Sequence, residues 1–256
     1  MNLTLKEYEA IDAIRVSEIV RLATRDINSI IAELNTPRET TDQMLLGTAF
    51  HSLVLRVDRD DLPDDVWLID SDNYRTKEAQ RQKANALQNG LVPILIHQWD
   101  KMIAGLKYAE RILDKYFNPI TCRFEQSFVG EDKTFGKIKG RIDGIQDGCV
   151  NDLKYTSNQA NLDKKIFDMG YQLQMFIYMV LANVEESNLV FFDPNTYLIQ
   201  VKHLKLGAIR DECIELLNRA KKNMELVEQY KKGELGVVCE SDYATPQWAY
   251  TYLMEQ

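Results

Sequence analysis

The stretch that decides the fold is residues 140–178, which begins GRIDGIQDGCVNDLKYT at residues 140–156 and ends GYQLQMFIY at residues 170–178. Asp147 and Gly148 form a strong hairpin signal, because both residue types tolerate the positive φ of a tight turn. On either side of this turn, apolar and polar side chains alternate, which is typical of β-strands. We therefore expect an antiparallel hairpin, followed by a helix over residues 171–184.

The two strands of this hairpin bring charged side chains together. Successive side chains of a strand point to opposite faces, so the strand over residues 137–145 has one charged face, made of Lys137, Lys139, Arg141 and Asp143. The returning strand, residues 149–155, puts Asp152 and Lys154 on one face and Leu153 on the other. Adjacent strands thus present two carboxylates and one ammonium at one spot.

This trio suits hydrolysis of a phosphodiester. Two carboxylates can hold a hard cation such as Mg²⁺, which activates water and neutralises charge on the phosphate. A neighbouring lysine can orient the nucleophile or stabilise developing negative charge. The spacing D-(x)8-D-x-K is that of the PD-(D/E)xK nuclease signature, with Asp in place of the usual Glu. The trio alone also fits two solvated acids and a surface lysine on a hairpin.

Four motifs in order make the pattern more specific. Over residues 17–178 the chain resembles the RecE (exodeoxyribonuclease VIII) branch of the RecB-like nucleases, common in phages and prophages. Tyr155 stands where that family often has Thr, which leaves the expected ligands untouched. The matching pieces are a G-x-x-x-H helix at Gly47 and His51, a first-acid strand at residues 140–143, a D-x-K strand at residues 152–154, and a Q-x-x-x-Y helix at Gln174 and Tyr178.

The resemblance implies a role for each site residue. Lys154 is expected to position or activate the attacking water, and Mg²⁺ is the expected cofactor, with Mn²⁺ able to substitute. Glu125 is an additional acid in the resemblance, and an exposed strand carboxylate is the alternative. Gln174 and Tyr178 could hold a phosphate or base near the site, and the alternative is a half-buried Tyr178 with a local partner. The expected metal ligands are His51, Asp143, Asp152 and the backbone carbonyl of Leu153.

Charge patterning bears on the substrate. The net charge is −8, which is unusual for a protein that binds DNA. Acidic residues are concentrated in residues 58–72, whereas basic ones cluster in residues 75–83 and in residues 133–141. A basic groove on an acidic body is compatible with DNA binding, so we assign Lys137, Lys139 and Arg141 to DNA contact. The basic helix expected over residues 74–89 either touches the DNA backbone or is a solvated face.

Composition excludes several other classes. The longest apolar runs are too short for a membrane helix, and the first residues do not form a secretory signal, so we expect a cytoplasmic protein of a bacterium or phage. The four cysteines are scattered and form no C-x-x-C. Zinc sites, disulfide frameworks and the iron–sulfur cluster of some RecB-like nucleases are therefore not expected.

The expected fold is α/β, with a mixed central sheet flanked by helices, a restriction-endonuclease-like core and N-terminal helices. We expect one domain over residues 1–256: a helical part to about residue 117, a catalytic core at about 118–206, and a helix and tail at 207–256. Helices are expected over residues 17–34, 41–55 and 94–117. In the helix at 41–55, Gly47 should allow close approach of a strand.

The expected function is a Mg²⁺-dependent deoxyribonuclease. From the resemblance alone come 5′→3′ exonuclease polarity on linear double-stranded DNA ends in phage-type recombination, and a single-strand annealing recombinase as partner. A ring of three or four subunits would give processivity without a strongly basic surface, and the tail around Trp248 and Tyr252 could supply an interface. The alternatives are a structure-selective or nicking endonuclease, and a non-catalytic protein that binds DNA ends.

Overall fold

The computed structural model describes residues 3–34, 36, 40–157 and 159–234. The calls on Trp248 and Tyr252 therefore lie outside the described residues. In this part of the chain the helices are α1 (Leu5–Glu9), α2 (Val16–Thr24), α3 (Ile27–Leu34), α4 (Asp42–Val54), α5 (Lys77–Gln88), α6 (Ile96–Leu113), α7 (Leu162–Asp168), α8 (Tyr171–Ala182) and α9 (Leu206–Lys231).

The strands form one large and one small sheet among the described residues. They are β1 (Ile14–Arg15), β2 (Val66–Ile69), β3 (Val92–Leu95), β4 (Arg123–Asp132), β5 (Gly136–Gln146), β6 (Cys149–Tyr155), β7 (Glu186–Phe192) and β8 (Ile199–Lys205). The large sheet has the order β1-β5-β6-β7-β8, with β4 also paired to β5. Its pairs β1–β5 and β6–β7 are parallel and the others antiparallel. The expected mixed sheet with adjacent acid strands is therefore confirmed.

Helices cover both faces of the large sheet. On the side that we call the α8 face, α2, α8 and α9 pack against residues such as Ile142 and Leu189. On the side that we call the α4 face, α4, α6 and the small sheet of β2 and β3 pack against Leu153 and Val190. Because neighbouring residues of β6 and β7 point into different clusters, both faces of these strands are buried, as expected for the centre of a sheet.

Two predicted helices differ from those observed. The single helix expected over residues 17–34 is divided into α2 and α3, because the Asp26 carboxylate accepts a hydrogen bond from the backbone N–H of Ser29 at 2.9 Å and starts a new helix. The helix expected from residue 94 begins at Ile96. Residues 92–95 instead pair in parallel with β2. The short strand that the sequence predicts over residues 66–69 is observed as β2.

The side chains of β4 change face at Glu125. Alternation predicts that Phe124 and Phe128 point the same way, but Phe124 packs on the α4 face and Phe128 on the α8 face. The backbone of Glu125 has a φ of 49°, in the left-handed region that non-glycine residues seldom adopt. That prediction was wrong, because one left-handed residue reverses the direction of the side chains that follow it.

No helix in the described ranges is both long and apolar enough to cross a membrane. Cys122, Cys149 and Cys213 are free thiols, and burial raises the pKa of each above its ordinary value. Cys122 and Cys213 are buried, as expected for free thiols, whereas Cys149 is partly buried. Cys239 lies outside the described residues.

Candidate active site

The site lies where the pairing between β5 and β6 ends. β4 runs along almost the whole of one edge of β5. On the other edge, β6 pairs with residues 144–146 and β1 pairs with residues 138–139. Within the described residues, positions 140–143 therefore have no strand partner on that edge. Asp143 and Asp152 stand where β5 and β6 separate.

Asp143 lies in this separation with 17% of its side chain exposed, so it is largely buried. Its carboxylate accepts a hydrogen bond from the backbone N–H of Leu153 at 2.8 Å, and its Oδ2 lies 3.5 Å from Nδ1 of His51. Burial raises the pKa of Asp143 to about 6; His51 acts to lower it, whereas the charge of Asp152 raises it further. Nearby positive charge thus offsets only part of the free-energy cost of ionising this carboxyl group away from water.

Asp152 and Lys154 form a buried ion pair on the α8 face. Lys154 Nζ lies 2.7 Å from Asp152 Oδ2, and the Asp152 side chain is 3% exposed. Burial acts to lower the pKa of Lys154, but the raising effects of Asp152, Tyr171 and Asp143 together outweigh it, so the pKa lies above its ordinary value. The lysine is therefore a fixed positive charge beside both acids.

The Q-x-x-x-Y pair of α8 holds this ion pair from one side. Gln174 Oε1 accepts a hydrogen bond from Lys154 Nζ at 3.1 Å, and its Nε2 donates to Asp152 Oδ1 at 3.2 Å. The same Nε2 lies 3.2 Å from the Tyr178 hydroxyl, which is the acceptor. Tyr178 is 7% exposed and lies under Gly140, where an added Cβ would come within 2.9 Å of its ring. Tyr178 therefore packs inside the protein rather than facing a substrate, which corrects its expected contact with DNA.

His51 reaches the site from α4. Residues three or four apart on a helix share a face, and a cavity of about 820 Å³ is lined by Met44, Gly47 and His51 of α4 and by Leu55, which follows it. The role expected for Gly47 is wrong: an added Cβ would meet nothing within 4 Å, so no strand approaches the helix there. Gly47 instead leaves open space beside His51.

Glu125 and Arg141 line the same cavity. Glu125 Oε2 lies 2.9 Å from Arg141 Nη2, with the carboxylate half exposed. The continuous register of β4 and β5 places Glu125 opposite Asp143, but its side chain is paired with Arg141. Arg141 Nε and Nη1 are buried without a hydrogen-bond partner among the described residues.

Lys139 does not line the cavity that contains Glu125 and Arg141. Its side chain is 3% exposed, and its Nζ donates to the backbone carbonyls of Tyr8, Glu9 and Ile11 at 3.1, 3.1 and 2.7 Å. The expected DNA contact of Lys139 is therefore wrong, because its ammonium fastens the N-terminal segment to β5. Lys137 is exposed and stays a predicted DNA contact.

The basic segment at residues 75–83 is partly neutralised. Lys83 Nζ lies 2.5 Å from the Asp42 carboxylate and over the ring of Tyr74, and Arg81 forms a bidentate pair with Glu78. Contact of α5 with DNA therefore remains a prediction.

The donor set fits a hard divalent cation. Asp143 and Asp152 supply carboxylate oxygens and His51 an imidazole nitrogen, and the raised pKa of Asp143 marks a site that lacks positive charge. No three His, Cys, Asp or Glu side chains of the described residues are arranged as a complete group of metal ligands. The Asp152 carboxylate is directed at Lys154 and Gln174, so the full set, including the Leu153 carbonyl, remains a prediction.

Sequence reasoning missed one residue of this site. The ring of Tyr171 lies beside Lys154, with Nζ 4.4 Å from the ring centroid. Tyr171 precedes Gln174 by three residues, and residues three apart on a helix share a face. That spacing was the signal that could have revealed it.

The chain was also compared with known proteins. The family model described as PD-(D/E)XK nuclease superfamily matches residues 23–234. Among solved structures, an alkaline exonuclease from Laribacter hongkongensis is 11% identical with a TM-score of 0.42, over 89% of this chain and 97% of that chain. A phage-related exonuclease from Haemophilus somnus 129PT is 14% identical with a TM-score of 0.39, over 86% and 96%. At such identities and TM-scores these likenesses carry no weight for function, and no curated protein sequence matches the chain.

Proposed function

The chain belongs to the PD-(D/E)XK nuclease superfamily, and on that premise we propose that it is a deoxyribonuclease that uses Mg²⁺, or Mn²⁺ in its place. We propose that its substrate is linear double-stranded DNA, degraded from the 5′ end. The observation that carries the proposal is the meeting of Asp143, Asp152 and Lys154 where β5 and β6 separate. A largely buried ion pair beside a second largely buried acid is costly to maintain, and metal-assisted hydrolysis of a phosphodiester would use these groups together.

The acids and the lysine have separate roles in this proposal. Asp143 and Asp152, with His51 and the Leu153 carbonyl, would hold the cation, which supplies positive charge at the phosphate and lowers the pKa of water. Lys154 donates hydrogen bonds from a fixed position, so its ammonium orients the attacking water or stabilises charge on the phosphate oxygens. The reaction adds water across one P–O bond: the water oxygen bonds to phosphorus, and the leaving oxygen receives a proton.

The remaining residues position these groups and the DNA. Gln174 contacts Asp152 and Lys154 at once, so it sets their relative orientation. Arg141 lines the cavity beside His51, and a guanidinium there suits a DNA phosphate. Glu125 holds the Arg141 guanidinium and thereby aims it, which is the role that we propose for this acid instead of direct catalysis.

End preference and assembly rest on the resemblance to RecE-type nucleases. We propose that the chain forms a homo-oligomer of three or four subunits, since a ring around DNA would offset a net charge of −8 by making rebinding intramolecular. A single-strand annealing recombinase as partner and a cytoplasmic location in a bacterial host belong to the same proposal.

The experiment compares linear and covalently closed circular duplex DNA of one sequence, labelled at the 5′ end where an end exists, with Mg²⁺, with Mn²⁺ and with chelator. We expect metal-dependent release of 5′ nucleotides from linear DNA and no cutting of closed circles. Asp152→Asn is the matched control, because it keeps the shape of a buried side chain and should abolish cleavage. Cutting of closed circles would favour the endonuclease alternative. Binding of ends without cleavage under either metal would favour the non-catalytic alternative.

A further inference from the structure

Tyr171 occupies a place in the site that none of the expected motifs accounts for. Its ring lies beside the buried Lys154 ammonium, 4.4 Å from Nζ to the ring centroid. A cation within about 6 Å of an aromatic face is attracted by the ring quadrupole, and most strongly where water is excluded. We infer that Tyr171 is a positioning residue that holds the Lys154 ammonium in its reacting orientation. The inference rests on the function proposed above.

The ammonium is held from several directions. Asp152 Oδ2 lies 2.7 Å from Lys154 Nζ, and Gln174 Oε1 accepts a hydrogen bond from it at 3.1 Å. An ammonium carries three donors, so these two partners leave one N–H for water or phosphate. The ring attracts the charge without supplying a carboxylate that would compete for that N–H.

Of these three partners of Lys154, the Tyr171 ring is the one whose contact would not be changed by a bound cation. Asp152 is an expected metal ligand, so its carboxylate would be shared between the metal and Lys154. Gln174 also contacts Asp152, so its position depends on that carboxylate. The ring of Tyr171 is neutral, because burial raises the pKa of its phenol, and its attraction for the ammonium is independent of where Asp152 turns.

Packing fixes the ring in place. Gly170 begins α8 with a φ of 65°, and an added Cβ there would come within 2.6 Å of Thr24 Cγ2. The start of α8 is therefore pressed against α2, which sets the position of Tyr171. On the sheet side, the ring meets Phe191 of β7 with centroids 6.3 Å apart. A ring held between a helix start and a strand can restrain a flexible lysine side chain.

The kinetic test uses Tyr171→Phe, Tyr171→Leu and a control, Tyr197→Leu. Tyr197 is also half buried and also meets one buried ring, that of Phe192 at 6.4 Å, but it packs on the α4 face. With saturating Mg²⁺ and linear duplex, Tyr171→Leu should lower kcat about tenfold or more and leave KM for DNA within about twofold. Tyr171→Phe keeps the aromatic face and should retain kcat within about threefold of the wild type.

Three kinetic outcomes would overturn the inference. One is a Tyr171→Phe variant as slow as Tyr171→Leu. The second is a change confined to KM. The third is an equal loss of kcat in Tyr197→Leu, which would show that any lost ring of this size slows the enzyme through the fold.

A spectroscopic test needs no activity. In metal-free protein carrying lysine labelled with ¹³C at Cε, the ring current of Tyr171 should shift the Lys154 ε-methylene protons upfield, and Lys154→Met identifies the signal. The shift should persist in Tyr171→Phe and disappear in Tyr171→Leu. An unshifted wild-type signal would overturn the inference. A shifted signal in a wild-type protein that cleaves no DNA would instead overturn the proposed function.

Discussion

The backbone N–H of Leu153 donates a hydrogen bond to the Asp143 carboxylate at 2.8 Å, so an acid of β5 is anchored to the backbone of β6. This contact lies just beyond the pair of Gly144 and Asn151, after which the two strands separate. Asp143 is thus buried between strands that no longer pair with each other. Its burial has consequences that can be measured without any substrate.

Asp143 should make the stability of the metal-free protein depend on pH. Its pKa is raised from 3.8 to about 6, so folding favours the protonated acid. The contribution of this group is fully present below pH 3.8 and is lost as the pH rises through about 6. Asp143→Asn stays neutral and should therefore be more stable than the wild type at pH 8, by on the order of 1–3 kcal/mol.

Urea unfolding with chelator present, at pH 4 and at pH 8, measures this difference. The advantage of Asp143→Asn should shrink toward zero at pH 4, and excess Ca²⁺ should reduce it at pH 8 by stabilising the wild type. An advantage of equal size at both pH values would contradict the assignment of a raised pKa to Asp143.

Lys154→Met should lower turnover by at least about a hundredfold, because it removes one preorganised charge of the site. Metal affinity should not fall, since an ammonium is not a metal ligand. Single-turnover cleavage at saturating Mg²⁺, together with calorimetric titration of Mn²⁺, separates the two effects. Collapse of metal binding with turnover preserved would reverse the roles that we assign to Lys154 and the acids.

His51→Ala should weaken Mn²⁺ binding by on the order of tenfold or more, as losing a metal-site contact commonly does. The measurement belongs at pH 8, where Asp143 is ionised, since titration of that acid near pH 6 would otherwise obscure the contribution of the imidazole. His97→Ala, an exposed histidine on α6, is the control. Equal Mn²⁺ affinity of the wild type and His51→Ala would show that His51 is not a metal ligand but an ordinary half-buried side chain of α4.

Gly140→Ala should be destabilising and should slow cleavage. The new Cβ would lie 2.9 Å from Tyr178 Cε1 and 3.1 Å from Val16 Cγ2, and overpacking of this kind costs about 1–3 kcal/mol. Displacement of the Tyr178 ring would also move Gln174, which holds both Asp152 and Lys154.

Gly47→Ala is the matched control for stability. It introduces the same methyl group into α4, where nothing lies within 4 Å, so it should stabilise the protein by about 1 kcal/mol through helix propensity. Thermal unfolding of both variants tests the pair. A Gly140→Ala variant as stable as Gly47→Ala would show that Tyr178 is not packed against β5 as described.

Local patterns predicted much of the site. The shared face of Asp152 and Lys154 and the spacing of Gln174 and Tyr178 follow from periods of two and of about 3.6 residues. These periods operate within a single strand or helix, so they hold wherever that element is placed. The motifs that depend on them are found together in the structure.

Predictions from local patterns were wrong, or could not be made, where the environment of a residue depends on residues distant in the sequence. Lys139 has the same strand parity as Arg141, but its ammonium meets the carbonyl of Ile11, 128 residues away. Alternation along β4 could not reveal that Glu125 is left-handed, because a period of two assumes extended backbone at every residue.

The sequence by itself determined which residues share a face of each helix and strand, and therefore which charged groups could meet at the hairpin. Only the tertiary structure decided that the Lys139 ammonium binds backbone carbonyls of the N-terminal segment. It also decided that burial raises the pKa of Asp143 to about 6, and that the ring of Tyr171 lies against Lys154. The physical reason is that burial and electrostatic environment depend on every element packed around a group. Those elements come from distant parts of the chain, whereas the period of a helix or strand depends on its own backbone alone.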